Sequence, residues 1–277
     1  MKIRPRRLLI QIAFFFAQNP LPQNFLSGKI YQGRLKMLCT PGLNCYTCPA
    51  AVSSCPIGAL QFFLAGAKQS VSLFVGGFLL AVGAVFGRLI CGYVCPMGLL
   101  QDLLYKIKTP KWRPLLRVAR YLKYAVLTVL VVALPLMLRN ELSGLGDPWF
   151  CKYVCPSGMI FGALPLLLAN GFLREMAGSL FIWKALLALA VILASVIVYR
   201  IFCRVLCPLG AIYSLFNRFA LFRLRCDREA CISCGKCADA CLLAIDAART
   251  PGAAECVSCG DCIKACPTKA LGYRPAR

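Results

Sequence analysis

The residues that most constrain this chain are its cysteines: 19 in 277 positions, most of them three or four residues from the next. Thiols so close together suit ligands of one metal centre. Disulfides instead tie distant segments together and are typical of small secreted domains with poor cores. The chain contains no histidine, which excludes His-ligated haem, Rieske centres, His-containing zinc sites and every Ser–His or Cys–His nucleophilic mechanism. Cysteine carries the chemistry.

The densest pattern lies near the C-terminal end. Cys231-x-x-Cys234-x-x-Cys237-x-x-x-Cys241 is followed by Cys256-x-x-Cys259-x-x-Cys262-x-x-x-Cys266-Pro267. This is the doubled bacterial ferredoxin run, in which three close thiolates wrap one cubane and the fourth reaches across to the other. Cys231, Cys234, Cys237 and Cys266 are expected to hold one 4Fe–4S cluster, and Cys256, Cys259, Cys262 and Cys241 the second. Leu242 stands where the usual pattern has proline after the fourth cysteine. Zinc is the rival for any C-x-x-C pair, but two successive runs of four favour clusters.

The remainder is apolar enough for a membrane. Hydrophobic residues make up 60% of the chain and the mean hydropathy is +0.71, above the globular average. Runs over residues 71–90, 118–138 and 180–201 are each long enough for a hydrocarbon core of about 30 Å. A fourth, over 8–17, is short and no small-residue cleavage pattern follows it, so it reads as an uncleaved first span. Trp112, Trp149 and Trp183 sit near span ends as interfacial anchors, and Lys123 and Lys184 are placed to snorkel. The glycines of 75–87 suit close helix packing.

Positive charge sets the expected orientation. Lys2, Arg4, Arg6 and Arg7 precede the first span. Lys106, Lys108, Lys111, Arg113, Arg117 and Arg120 lie between the second and third, and Arg200, Arg204, Arg218, Arg223 and Arg225 follow the last. Both termini and the middle loop are therefore expected in the cytoplasm. Lys29, Arg34, Lys36 and Lys68, in an acid-free segment assigned to the other side, count against this.

The chain also repeats. RLICGYVCPMGLLQDL (88–103) aligns without a gap on RIFCRVLCPLGAIYSL (200–215), and Cys55-Pro56-Ile57-Gly58 matches Cys155-Pro156-Ser157-Gly158. Proline belongs at the first helical position, which puts each cysteine at the cap, beside free N–H groups and the positive end of the helix dipole. That environment suits a thiolate or an anionic cluster. Internal repeats place functional sites between the halves. Cys91, Cys95, Cys203 and Cys207 thus make one candidate ligand set. Cys151 and Cys155 pair with two of Cys39, Cys45, Cys48 and Cys55; the repeat selects Cys55, and Cys48 is preferred over Cys45 as its companion, with Cys39 and Cys45 as rival ligands. Cys226 has no assigned partner.

PGLNCYTCPAAVSSCPIGALQ (41–61), the C-x-x-x-C-P pairs at 91–96, 151–156 and 203–208, and the doubled C-terminal run resemble the membrane-bound polyferredoxins of the NapH/MauN type. The resemblance implies electron passage between a quinone or cytoplasmic donor and a membrane or periplasmic partner.

The expected architecture is a mostly α membrane protein, residues 1–220, with four spans in two pseudo-repeats (about 1–110 and 111–220) and re-entrant or amphipathic short helices. A cytoplasmic α+β ferredoxin domain with two 4Fe–4S clusters follows over 221–277. The expected function is an integral electron carrier of a prokaryotic inner membrane, holding two further clusters in the bilayer. It would serve as an electron-transfer subunit rather than a stand-alone catalyst, with redox proteins and a candidate quinone as partners and no nucleic acid. The alternative is a redox-sensing or metal-maturation factor whose membrane cysteines bind or reduce a metal in transit.

Overall fold

One local rule shapes most of the chain. The residue before a proline is driven to extended backbone, while proline itself opens a helix. In the computed structural model, which describes residues 5–66, 73–113, 118–139 and 144–274, Cys55, Cys95, Cys155 and Cys207 all take extended backbone, with ψ from 111° to 128°. Helices Pro56–Ala65, Pro96–Leu104 and Pro208–Phe216 begin on the next residue, and Gly158–Ala169 follows Pro156 closely. In the three C-x-x-x-C-P motifs the second cysteine's N–H donates to the residue preceding the first cysteine. These bonds run from Cys95 to Ile90 (3.1 Å), from Cys155 to Phe150 (2.9 Å) and from Cys207 to Phe202 (3.0 Å). Such wide turns recur at functional sites.

The fold is mostly helical. Ala119–Met137 and Ser179–Ile197 are long and apolar enough to cross a membrane. Pro5–Gln18 and Leu73–Phe86 have 14 residues each, about 21 Å at 1.5 Å per residue. The continuous span expected over 71–90 is broken. Its helix ends at Phe86, Gly87 takes φ +51°, and Leu89–Tyr93 begins a new helix. A β-carbon at Gly87 would lie 3.0–3.1 Å from Asn217 and Ala220, so the backbone and the close approach both require glycine. Positions 71 and 72 lie outside the described residues, as do Lys2, Arg4, Lys68 and Arg117.

The halves exchange their short helices. Pro96–Leu104 packs on Ser179–Ile197, and Pro208–Phe216 on Leu73–Phe86. The second contact closes at Gly83, where a β-carbon would come within 2.7 Å of the Phe216 ring; one at Gly76 or Gly77 would meet no neighbouring element within 4 Å among the described residues. Pro5–Gln18 lies against Leu89–Tyr93 and Pro96–Leu104. The largest apolar core joins Ile57, Val75, Met97, Phe150, Phe202 and Leu209 to Cys55, Cys91, Cys95, Cys155, Cys203 and Cys207. The thiols are thus part of the core and not decoration on it.

After Leu221 the chain forms two antiparallel strands, Arg223–Cys226 and Leu271–Arg274, in the register Cys226 to Leu271. Two short helices, Lys236–Asp239 and Asp261–Ala265, lie between them in sequence.

Candidate functional site

The exchanged helices bring Cys91, Cys95, Cys203 and Cys207 together. All four are buried and are mutual electrostatic neighbours. Two arginines frame them reciprocally. Arg200 Nη1 donates to the Cys91 carbonyl (2.5 Å) and Arg88 Nη2 to the Cys203 carbonyl (3.0 Å), each arginine reaching into the opposite half. Room for them comes from matched glycines. A β-carbon at Gly98 would meet the Cys91 carbonyl at 2.8 Å, and one at Gly210 the Cys203 carbonyl at 3.0 Å. Leu43 N–H donates to Cys95 Sγ (3.4 Å), Gln101 Nε2 to Cys203 Sγ (3.1 Å) and Gly210 N–H to Cys207 Sγ (3.3 Å). The last is the cap bond expected of a cysteine before a proline-initiated helix.

Asp102 anchors this frame. Arg200 grips it bidentately (2.8 and 2.6 Å) and Arg7 bonds it from the first helix. Burial alone would push the Asp102 carboxyl up, but Arg200 and Arg7 outweigh it and hold the group at about 2. The same grip sustains Arg200 at φ +51°, a backbone region uncommon for residues other than glycine.

The tail docks on this site. Arg88 Nη1 donates to the Ala254 carbonyl (2.9 Å) and pairs with Glu255 (3.3 Å), which also takes Lys123 at 2.7 Å. Lys123 is therefore fully buried rather than snorkelling. A β-carbon at Gly92 would strike the Val257 carbonyl at 2.5 Å, and Asn217 donates to the carbonyls of Ala253 (2.7 Å) and Cys256 (3.2 Å). Leu242, where proline was expected, packs with Leu243 and Val257 on Tyr105 and Tyr199. Within the tail, Cys241, Cys256, Cys259 and Cys262 lie close together, beside the helical part. Cys231, Cys237 and Cys266 gather near Cys226, while Cys234 is exposed.

A second thiol group sits farther from the tail. Cys55, Cys151, Cys155 and Cys45 are mutual electrostatic neighbours. A β-carbon on Gly58 would be 3.9 Å from Cys151 Sγ, and one on Gly158 3.6 Å from Cys45 Sγ. The companion brought to this group is Cys45. Cys48 instead points its thiol at Asn19 Oδ1 (3.6 Å), and Cys39 forms a backbone bridge with Ser54. Gln61 Nε2 donates to Cys151 Sγ (3.1 Å). Lys184 donates to the Cys151 carbonyl (3.1 Å) and Trp183 to the Tyr153 carbonyl (3.1 Å), so both are tied to this motif.

These donor sets fit cubanes in chemistry. Each of these two groups is four cysteines served by N–H donors, and the buried Nε of Arg88 has no hydrogen-bond partner while Cys91, Cys203 and Cys207 lie near the guanidinium. Cubane ligands stand apart around four irons; among the described residues, no three Cys, Asp or Glu side chains converge on a single-ion site.

Sequence reasoning missed this ion-pair frame. The charge pattern assigns Arg7 and Arg200 to the ends of spans, yet both are fully buried. The signal was there: Asp102 is the only acid in the first 140 residues, and Arg88 and Arg200 occupy matching repeat positions.

The family described as "4Fe-4S binding domain" matches residues 67–115, 142–170 and 180–226, each segment holding one C-x-x-x-C-P motif. An uncharacterized protein of Methanocaldococcus jannaschii is 26% identical over 198 residues, covering 68% of this chain and 65% of that protein. The methylamine utilization ferredoxin-type protein MauN of Paracoccus denitrificans is 33% identical (61% of this chain, 52% of that protein). MauN of Methylorubrum extorquens is 29% identical (67% and 59%). The chain thus spans between about half and two thirds of these relatives' length. No solved structure matches. The buried cysteine sets and these matches support a 4Fe–4S protein of the MauN/NapH type.

Proposed function

We propose that this iron–sulfur electron carrier is an integral membrane protein that conducts electrons through four 4Fe–4S clusters in series. Residues 1–220 form the membrane domain and 221–277 a two-cluster ferredoxin domain. Cys231, Cys234, Cys237 and Cys266 hold the outermost centre, and Cys241, Cys256, Cys259 and Cys262 the next. Cys91, Cys95, Cys203 and Cys207 hold the third, and Cys45, Cys55, Cys151 and Cys155 the fourth. The clusters supply the electron transfer; the chain supplies ligands, spacing and charge.

The observation that carries this reading is the cross-half convergence of Cys91, Cys95, Cys203 and Cys207 directly beneath the docked tail. Continuity between the membrane sites supports it. Leu43 bonds Cys95 and Cys45 lies with Cys155, so two residues of chain, at most about 7 Å, link one group to the other. Ala119–Met137 and Ser179–Ile197 are only 22% and 17% buried, exposing Val129, Met137, Leu186, Leu189 and Leu193. Apolar helices so exposed suit lipid and not a soluble core. The first helix and Leu73–Phe86 complete four spans. With the buried Arg7 and Arg200 set aside, the basic residues at 106–113 and 218–225 still favour cytoplasmic termini, and redox proteins on either side would be the partners.

Anaerobically purified protein should show four centres that dithionite reduces and air-free oxidant restores. Membrane thiols that bind added iron reversibly and never undergo reduction would favour the maturation reading instead.

A further inference from the structure

Two buried glutamines occupy equivalent places, and neither belongs to a ligand motif. Gln61 lies six residues after Cys55 and Gln101 six after Cys95; both are fully buried. Each crosses to the other half and makes the same set of bonds. Oε1 of Gln101 accepts from Phe202 N–H (3.1 Å), and Oε1 of Gln61 accepts from Phe150 N–H (3.0 Å). Nε2 of Gln101 donates to the Met97 carbonyl (3.2 Å) and Cys203 Sγ (3.1 Å). Nε2 of Gln61 donates to the Ile57 carbonyl (3.4 Å) and Cys151 Sγ (3.1 Å).

The amide orientation is fixed by this arrangement, because the phenylalanine N–H requires an oxygen opposite it. The NH2 is left facing sulfur. The second half has no equivalent donor: Phe161 and Tyr213 hold the matching positions. Each membrane thiol group therefore receives one side-chain N–H from a glutamine of the first half.

We propose that Gln61 and Gln101 are positioning residues that set the reduction potentials of the two membrane clusters through N–H···S bonds to Cys151 and Cys203. This rests on the reading that those thiols hold clusters. Reduction adds one electron and so negative charge, part of it on the ligand sulfurs. A donor aimed at sulfur stabilises the reduced state more than the oxidised one, and hydrogen bonds to sulfur are among the determinants of cluster potential. Removing the donor lowers the potential.

The test is an EPR-monitored redox titration of full-length protein, with iron content measured on each sample. Gln101→Met should keep the parent iron content and lower one centre by about a tenfold change in its reduction equilibrium, about 59 mV for one electron. Gln61→Met should do the same to a different centre. Gln101→Glu keeps an acceptor for Phe202 N–H and replaces the amide donor by a carboxyl. It should make that centre's potential fall as pH rises, which a role in packing alone does not produce. Full iron with every potential unmoved overturns the proposal, and so does iron loss in the Met and Glu variants alike. A parent holding only about eight irons instead sinks the cluster reading beneath it.

Discussion

The two thiol groups of the helical part are built from one motif, yet the protein surrounds them differently. Cys91, Cys95, Cys203 and Cys207 are framed by the reciprocal Arg88 and Arg200, anchored on Asp102 and covered by the tail. Cys45, Cys55, Cys151 and Cys155 keep the Cys-Pro-x-Gly turns and the glutamine, but the polar group at Cys151 is Lys184, bonded to its carbonyl. Position 51, which aligns with Cys91, is alanine, and Cys45 from the preceding loop takes the place. The repeat thus preserves the backbone that presents sulfur and varies the charge around it. Two buried guanidiniums near an anionic cluster favour its reduced form. The tail-proximal centre should therefore have the higher potential of the two.

The largest expected effect comes from Asp102, which has no counterpart at the distal group among the described residues. Asp102→Asn leaves Arg200 without its buried carboxylate and Arg7 with Asp261 at 4.0 Å, and should cost about 3–5 kcal/mol, with loss of the tail-proximal iron. Thermal unfolding in detergent measures it; a variant as stable as the parent would show that the frame is ornamental. Next comes the choice of distal ligand. Cys45→Ser should remove about four irons per chain while Cys48→Ser removes none, and the reverse pattern would restore Cys48 as the ligand.

Matched glycines sharpen the contrast further. Gly98→Ala presses a methyl on the Cys91 carbonyl at 2.8 Å, whereas Gly58→Ala finds its nearest atom at 3.9 Å. Overpacking should cost the first about 1–3 kcal/mol and the second little; equal melting temperatures would refute the difference. The smallest effect is that of pH. The folded Asp102 carboxyl sits at about 2 against an ordinary 3.8. Its contribution, about 2 kcal/mol, is complete above the ordinary value and lost as pH falls through the folded one. Stability should be insensitive to this group from about pH 5 to 8 and decline below about pH 4. In Asp102→Asn that acid limb should shrink, and an unchanged limb would assign it to other carboxylates.

The Cys-Pro turns were legible because proline dictates backbone on both sides of itself, and the repeat made their pairing a matter of symmetry. The break at Gly87 was not: hydropathy runs straight through 71–90, and only the approach of Asn217 and Ala220 shows why the helix stops. Nor could spacing separate Cys45 from Cys48, since both precede Cys55 in one loop and tertiary contact alone turns Cys48 towards Asn19. Arg7, Arg200 and Lys123 misled because charge near a span end looks the same whether it faces lipid headgroups or a buried acid.

The central claim is that thiols from both halves hold clusters in addition to those of the tail. Iron and acid-labile sulfide per chain, measured on the anaerobically purified full-length protein, test it most directly. Four cubanes give about sixteen of each, falling to about twelve when Cys203 and Cys207 are both replaced by serine. About eight in the parent, unchanged by that replacement, would contradict the claim and leave the cysteines before residue 221 without a cluster.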